Sequence, residues 1–164
     1  DYDSKKENRL IKYSKMLHRL RDERLFIEKE KIVFPRRSTS FICTIDTEQF
    51  YLLNTAYICL LKNPSYSLKY ILGILNSKVI NFLYSKTYIG WQITIPAINL
   101  LPIPRVDQIN MITVKKVEEL VDQMLSVKRN NLNLSIEDFE KQLDESVMNL
   151  YQLTEEEKEI IRNS

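Results

Sequence analysis

The chain has 164 residues, 44% of them hydrophobic and 28% charged, enough for one compact domain with a buried core and too apolar for global disorder. Its two glycines, Gly73 and Gly90, exclude the dinucleotide fingerprint and the P-loop, and two cysteines with one histidine exclude the common Cys/His zinc sites. The net charge of +2 conceals a gradient: residues 1–40 carry 12 Lys/Arg against 7 Asp/Glu, residues 41–104 carry 4 against 2, and residues 105–164 carry 8 against 13.

The first two thirds therefore suit a polyanionic partner, and the last third repels one. No apolar run reaches the roughly 18–20 residues that span a bilayer, and no basic-then-apolar leader opens the chain. A soluble, cytoplasmic, metal-free protein is expected. The start at Asp1, in a charged segment, reads as a fragment boundary.

Residues 5–24 predict a helix, with Leu10, Tyr13, Leu17 and Leu20 as one stripe among Lys12, Lys15, Arg19, Arg21 and Arg24. His18 falls on the surface of that helix. Ile32-Val33-Phe34 reads as a short strand ended by Pro35, which cannot donate to a sheet ladder. A basic, hydroxyl-rich loop follows, from Arg36 to Ser40. Phe41 to Ile45 and Ala56 to Leu61 predict two more strands; Cys43 and Cys59, inside them, read as reduced core residues.

Ser67 looks like the N-cap of a helix running to about Tyr84. That helix is apolar on nearly every side and must be largely buried, with Gly73 and Ser77 permitting close backbone approach. A second polar loop, Ser85 to Trp91, leads into Gln92-Ile93-Thr94-Ile95, whose alternation predicts a half-buried strand. Leu101-Pro102-Ile103-Pro104 closes the mixed region. Beyond it, Val114, Val117, Leu120, Val121, Met124 and Leu125 form an amphipathic stripe. After a polar break through Asn130, Asn131 and Asn133, Ser135 caps a helix bearing Ile136, Phe139, Leu143, Val147 and Leu150. Thr154 and Glu157 form a capping box for a last short helix.

These elements predict an α+β fold: a mixed β-sheet packed with a long buried helix, plus a C-terminal helical segment. The expected divisions are 1–30 as a helical lead-in, 31–108 as the core and 109–164 as the helical end. Val117, Leu120, Val121 and Met124 are placed to pack on Phe139, Leu143 and Val147 as an antiparallel pair.

Three stretches carry a family resemblance: Leu53-Asn54-Thr55-Ala56-Tyr57-Ile58, Leu72-Gly73-Ile74-Leu75-Asn76-Ser77-Lys78, and Leu101-Pro102-Ile103-Pro104. In order and spacing they resemble the C-terminal target recognition domain of type IIG restriction–modification enzymes, the TaqI-like specificity domain. The tail from Leu150 to Glu157 also resembles the helical end of those chains, except that Gln152 stands where the family has glycine. The resemblance spans roughly residues 30–160.

The resemblance implies a non-catalytic domain that directs a methyltransferase or endonuclease to one DNA sequence. No Asn-Pro-Pro-Tyr segment and no Pro-Asp…Glu-x-Lys signature is present, so S-adenosylmethionine and magnesium are expected only in upstream catalytic domains. Double-stranded DNA and the parent methyltransferase domain are the implied partners. Self-association through the C-terminal helices is a further possibility.

In such domains phosphate contacts set register and base contacts specify sequence. Arginine matches guanine, and glutamine or asparagine matches adenine, in the major groove. Two loops have suitable chemistry. The first offers Arg36 and Arg37 with Ser38, Thr39 and Ser40; the second offers Lys86, Thr87, Tyr88, Trp91 and Gln92, with Gln92 as an adenine reader. The competing reading is a protein-docking module of a larger bacterial protein. A catalytic role for Asp46 and Glu48 has only an i, i+2 carboxylate spacing in its favour.

Overall fold

A computed structural model of the protein describes residues 22–88, 90–130 and 135–164. The elements run α1 (Arg24–Ile27), β1 (Lys31–Pro35), β2 (Thr44–Asp46), β3 (Ala56–Cys59), α2 (Leu68–Asn76), α3 (Lys78–Thr87), α4 (Ile95–Asn99), α5 (Met111–Arg129), α6 (Glu137–Leu150) and α7 (Glu155–Arg162). The fold is α+β, as the sequence predicts. The helix expected over residues 5–24, His18 included, falls outside the described residues up to Arg21. Asn131 and Asn133 of the expected polar break lie outside them too.

β1 is the central strand of a three-stranded sheet of order β2-β1-β3. Both pairings are antiparallel, with Ile32 opposite Ile45 and Val33 opposite Ile58, where a mixed sheet was expected. Alternation decides the faces: Ile32 and Phe34 are buried, whereas Val33 and Pro35 are half-buried.

The expected strand over Phe41–Ile45 pairs as a strand only from Thr44. Its first half is held by side-chain amides instead. Asn76 accepts from the Cys43 N–H at 2.7 Å and donates to the Cys43 carbonyl at 3.0 Å, and the Asn81 amide oxygen accepts from the Phe41 N–H at 2.6 Å. Each amide supplies the donor and acceptor that a neighbouring strand would. Both cysteines are free thiols, and burial pushes Cys43 up to about 12.

The single long helix expected from Ser67 to Tyr84 is two helices. Ser77 is extended (φ −67, ψ 153) and serves as N-cap of α3, accepting from the Ile80 N–H while donating to the Ile74 carbonyl at 2.7 Å. The apolar run did not betray the break, because Ser77 is fully buried and reads as one small residue in a packed face. Ser67 caps α2 as expected, accepting from the Tyr70 N–H at 3.1 Å.

A strand over Gln92–Ile95 does not form. Thr94 caps α4, accepting from the Ala97 N–H at 3.4 Å, and Pro96 occupies the first turn, where its missing N–H costs no hydrogen bond. The alternation does not carry over into burial: Ile93 is fully buried, whereas Ile95, which a strand would place on the same face, is exposed.

One apolar core runs from Ile32, Phe34 and Phe41 through Tyr70, Ile74 and Ile80 to Val117, Val121, Leu143 and Val147. At Gly73 the backbone of α2 meets α5 and α6 directly. A Cβ there would lie 2.7 Å from Val117 Cγ1, 3.2 Å from Val121 Cγ2 and 3.3 Å from Leu143 Cδ1. The apolar stripes of α5 and α6 pack on each other and on α2 within the same chain. The Leu101–Pro104 segment is tied to the core by tyrosines: Tyr70 donates to the Pro104 carbonyl at 3.0 Å, and Tyr151 donates to that of Pro102.

α6 ends in a Schellman turn. Gln152 is left-handed (φ 54), its N–H donates to the Asn149 carbonyl, and the Leu153 N–H reaches that of Met148. The Thr154–Glu157 capping box opens α7 as expected. Ser135 contributes to the α6 entry by accepting from the Glu137 N–H at 3.3 Å, although the cap position itself falls on Ile136.

Candidate nucleic-acid interface

The two polar loops predicted to carry function meet at the Arg36 end of β1. The Arg36 N–H donates to the Thr55 carbonyl at 2.7 Å, and the Arg36 carbonyl accepts from the Ile93 N–H at 2.9 Å. These bonds fasten residues 91–93 beside the end of the sheet. Two tyrosine hydroxyls complete the attachment: Tyr57 donates to the Ile93 carbonyl at 3.0 Å and Tyr84 to the Gln92 carbonyl at 3.3 Å. Burial, with the hydroxyls of Tyr88 and Tyr57 beside it, pushes the Tyr84 phenol above its ordinary value, so it stays a donor.

The side chains interlock across the same junction. With the Gln92 amide oxygen turned toward Arg36, it accepts from Nε at 2.6 Å and from Nη2 at 2.9 Å. In the opposite orientation the amide's donor would face the guanidinium's donors. The Arg36 guanidinium carbon lies 6.0 Å from the centre of the Tyr57 ring, and that of Arg37 lies 5.0 Å from the centre of Trp91. Trp91 is 60% exposed, too open for a core residue. Arg36 and Arg37 are also exposed, while Gln92 is half-buried.

The other predicted residues are occupied more locally. Ser38 bonds within its loop, donating to the Ser40 carbonyl at 2.6 Å and accepting from the Ser40 N–H at 3.2 Å. Thr87 donates back to the Leu83 carbonyl at 2.7 Å, and the Lys86 ammonium stands 5.4 Å from the centre of the Phe82 ring. Tyr88 stacks on Tyr84 at 5.3 Å, and its buried hydroxyl has no partner among the described residues. Sequence reasoning missed Tyr57 and Tyr84 as the residues that anchor the second loop. The available signal was a phenol in an apolar run, since a buried Tyr hydroxyl needs a partner.

Asp46 has no free carboxylate to offer catalysis. Its Oδ2 pairs with the buried Lys31 ammonium at 2.7 Å, and it accepts from the N–H groups of Glu48 and Phe50. Burial pushes this carboxyl up, but Lys31 and the two N–H donors outweigh it and hold Asp46 below the usual carboxylate range. Among the described residues no cluster of three or more His, Cys, Asp or Glu is placed to hold a metal ion. No described helix is long and apolar enough to cross a membrane.

A small sheet and a buried helix pair thus hold the two basic–aromatic loops together. Residues 1–103 match the family of the TaqI-like C-terminal specificity domain, and the chain belongs to that family. The match covers both predicted loops but stops at Ile103, short of the C-terminal helices that the sequence resemblance included. No curated protein matches the chain. Membership supports a DNA-recognition role in a restriction–modification enzyme; specificity domains are in general non-catalytic.

Proposed function

We propose that this chain reads a short sequence in double-stranded DNA and thereby directs the catalytic domain of a type IIG restriction–modification enzyme. One observation carries the reading. Within the stretch that matches the specificity-domain family, Arg36, Arg37, Trp91 and Gln92 come together on one exposed edge. Cations and an exposed aromatic ring held by a rigid sheet and helix suit phosphate contact and base-edge contact together.

In this reading the parent is an adenine-specific DNA methyltransferase of the bacterial cytoplasm. S-adenosylmethionine and magnesium belong to its catalytic domains. The acidic helices α6 and α7 face away from DNA, and the exposed Ile109, just before α5, and Ile112, in its first turn, contact the catalytic partner.

The test is fluorescence anisotropy of the chain on random duplexes, titrated from about 50 mM to physiological salt, where phosphate-driven binding weakens steeply. Arg37→Ala is expected to weaken binding on all sequences and reduce the salt slope by about one. An absence of binding at low salt would transfer the assignment to a protein-docking module.

A further inference from the structure

We propose that Arg36 reads a guanine and that Gln92 is the positioning residue that aims it, an assignment that rests on the DNA-recognition reading above. An arginine recognises guanine by presenting two parallel N–H donors to O6 and N7. A free arginine side chain on a surface loop spreads that fork over many rotamers. Here the fork is fixed.

Gln92 takes one edge of the guanidinium, the Nε hydrogen at 2.6 Å and one Nη2 hydrogen at 2.9 Å. The group is planar with donors in a rigid arrangement, so holding that edge also fixes the outer one, formed by Nη1 and the second Nη2 hydrogen. No described residue accepts from the outer edge, and Arg36 is exposed. The Tyr57 ring flanks the guanidinium at 6.0 Å, and the same tyrosine holds the Ile93 carbonyl next to Gln92. Backbone, ring and amide thus restrain Arg36 from three directions.

The same geometry removes Gln92 from direct reading. An adenine reader needs its amide oxygen free for N6 and its amide nitrogen free for N7. The Gln92 oxygen accepts both bonds from Arg36, which uses both of its lone pairs. Arg37 differs from Arg36: its guanidinium lies over Trp91 with no amide fixing its edge, an arrangement suited to phosphate.

The experiment selects duplexes from a randomised pool with the full chain and three variants, and measures anisotropy on the chosen site and its single-base changes. The chain is expected to prefer guanine at one position. Arg36→Lys, which keeps the charge and loses the fork, should lose that preference by about 5- to 150-fold, with the salt slope kept. Gln92→Ala should weaken the same position and leave the others unchanged. Gln92→Glu keeps acceptors for Arg36 but has no donor for adenine, and should retain the guanine preference. Thermal melts establish that the variants are folded.

The assignment is overturned if Arg36→Lys leaves base preference intact, or if Gln92→Ala relaxes an adenine position instead. An Arg36→Lys loss spread evenly over all sequences would make Arg36 a phosphate contact and would also overturn it. Failure of the unmodified chain to bind any duplex would remove the DNA-recognition reading itself, a result distinct from these.

Discussion

Gln152 and Asp46 show how single residues set local energetics. A left-handed backbone costs a non-glycine residue about 1–2 kcal/mol, offset by the extra freedom glycine has when unfolded, about 0.4–1 kcal/mol. Gln152→Gly at φ 54 is therefore expected to stabilise the chain by about 0.5–1 kcal/mol. A rise in the urea midpoint with an unchanged slope would register it. Family resemblance placed a glycine here, and the turn geometry supplies the reason.

Asp46 behaves oppositely with pH. Its folded carboxyl lies below the ordinary range, so the Lys31 pair stabilises the fold above the unfolded value and ceases to as pH falls through the folded one. Denaturant stability should drop below about pH 4. Asp46→Asn leaves a fully buried ammonium without its counter-charge, held by the Phe26 carbonyl at 2.9 Å, and should cost about 3–5 kcal/mol, while flattening that acid limb. Parallel acid limbs in both proteins would assign the effect to other carboxylates.

Between elements, the closest fit is at Gly73. Alanine has the better helix propensity, by about 1 kcal/mol. The clash decides the sign: a Cβ would sit 2.7 Å from a methyl of the fully buried Val117. Gly73→Ala is expected to destabilise by about 1–2 kcal/mol net, overpacking outweighing propensity. Val117→Ala in the same chain should recover part of the loss, read as a coupling in a double-mutant cycle. Additive effects would mean that the two sites do not share this contact. At the other end of α6, α7 is clamped by Lys158, whose ammonium bonds Glu145, Asn149 and Glu155 at 2.8–2.9 Å.

The elements also mark the limits of sequence reading. Caps at Ser67 and Thr154 were legible, because capping is a local contact between a side chain and N–H groups two or three residues on. The break at Ser77 was not, since the same residue type suits a tight helix interface. The strand predicted over Gln92–Ile95 followed an alternation of residue types that burial does not share, and Thr94 and Pro96 start a helix there. No local pattern marks Asn76 and Asn81 as strand substitutes, because their bonds are to backbone 33 and 40 positions away.

For the molecule as a whole, charge and core follow different boundaries. Apolar packing is continuous from the sheet to α6, whereas the acidic excess is confined to the stretch that carries α6 and α7, where three Lys/Arg face nine Asp/Glu over residues 135–164. On the proposed DNA-recognition reading, the duplex meets the Arg36 and Arg37 edge and not the acidic helices. Sequence alone determined the stripes of α5 and α6, the caps at Ser67 and Thr154, the family and the residue types of the two loops, because these depend on periodicity and local chemistry. Only the tertiary structure decided that Arg36 and Gln92 share hydrogen bonds, that Arg37 lies over Trp91, and that Asp46 is spent on Lys31. Such contacts join residues distant in the chain, and no periodicity encodes which of them the packed core will bring within hydrogen-bond reach.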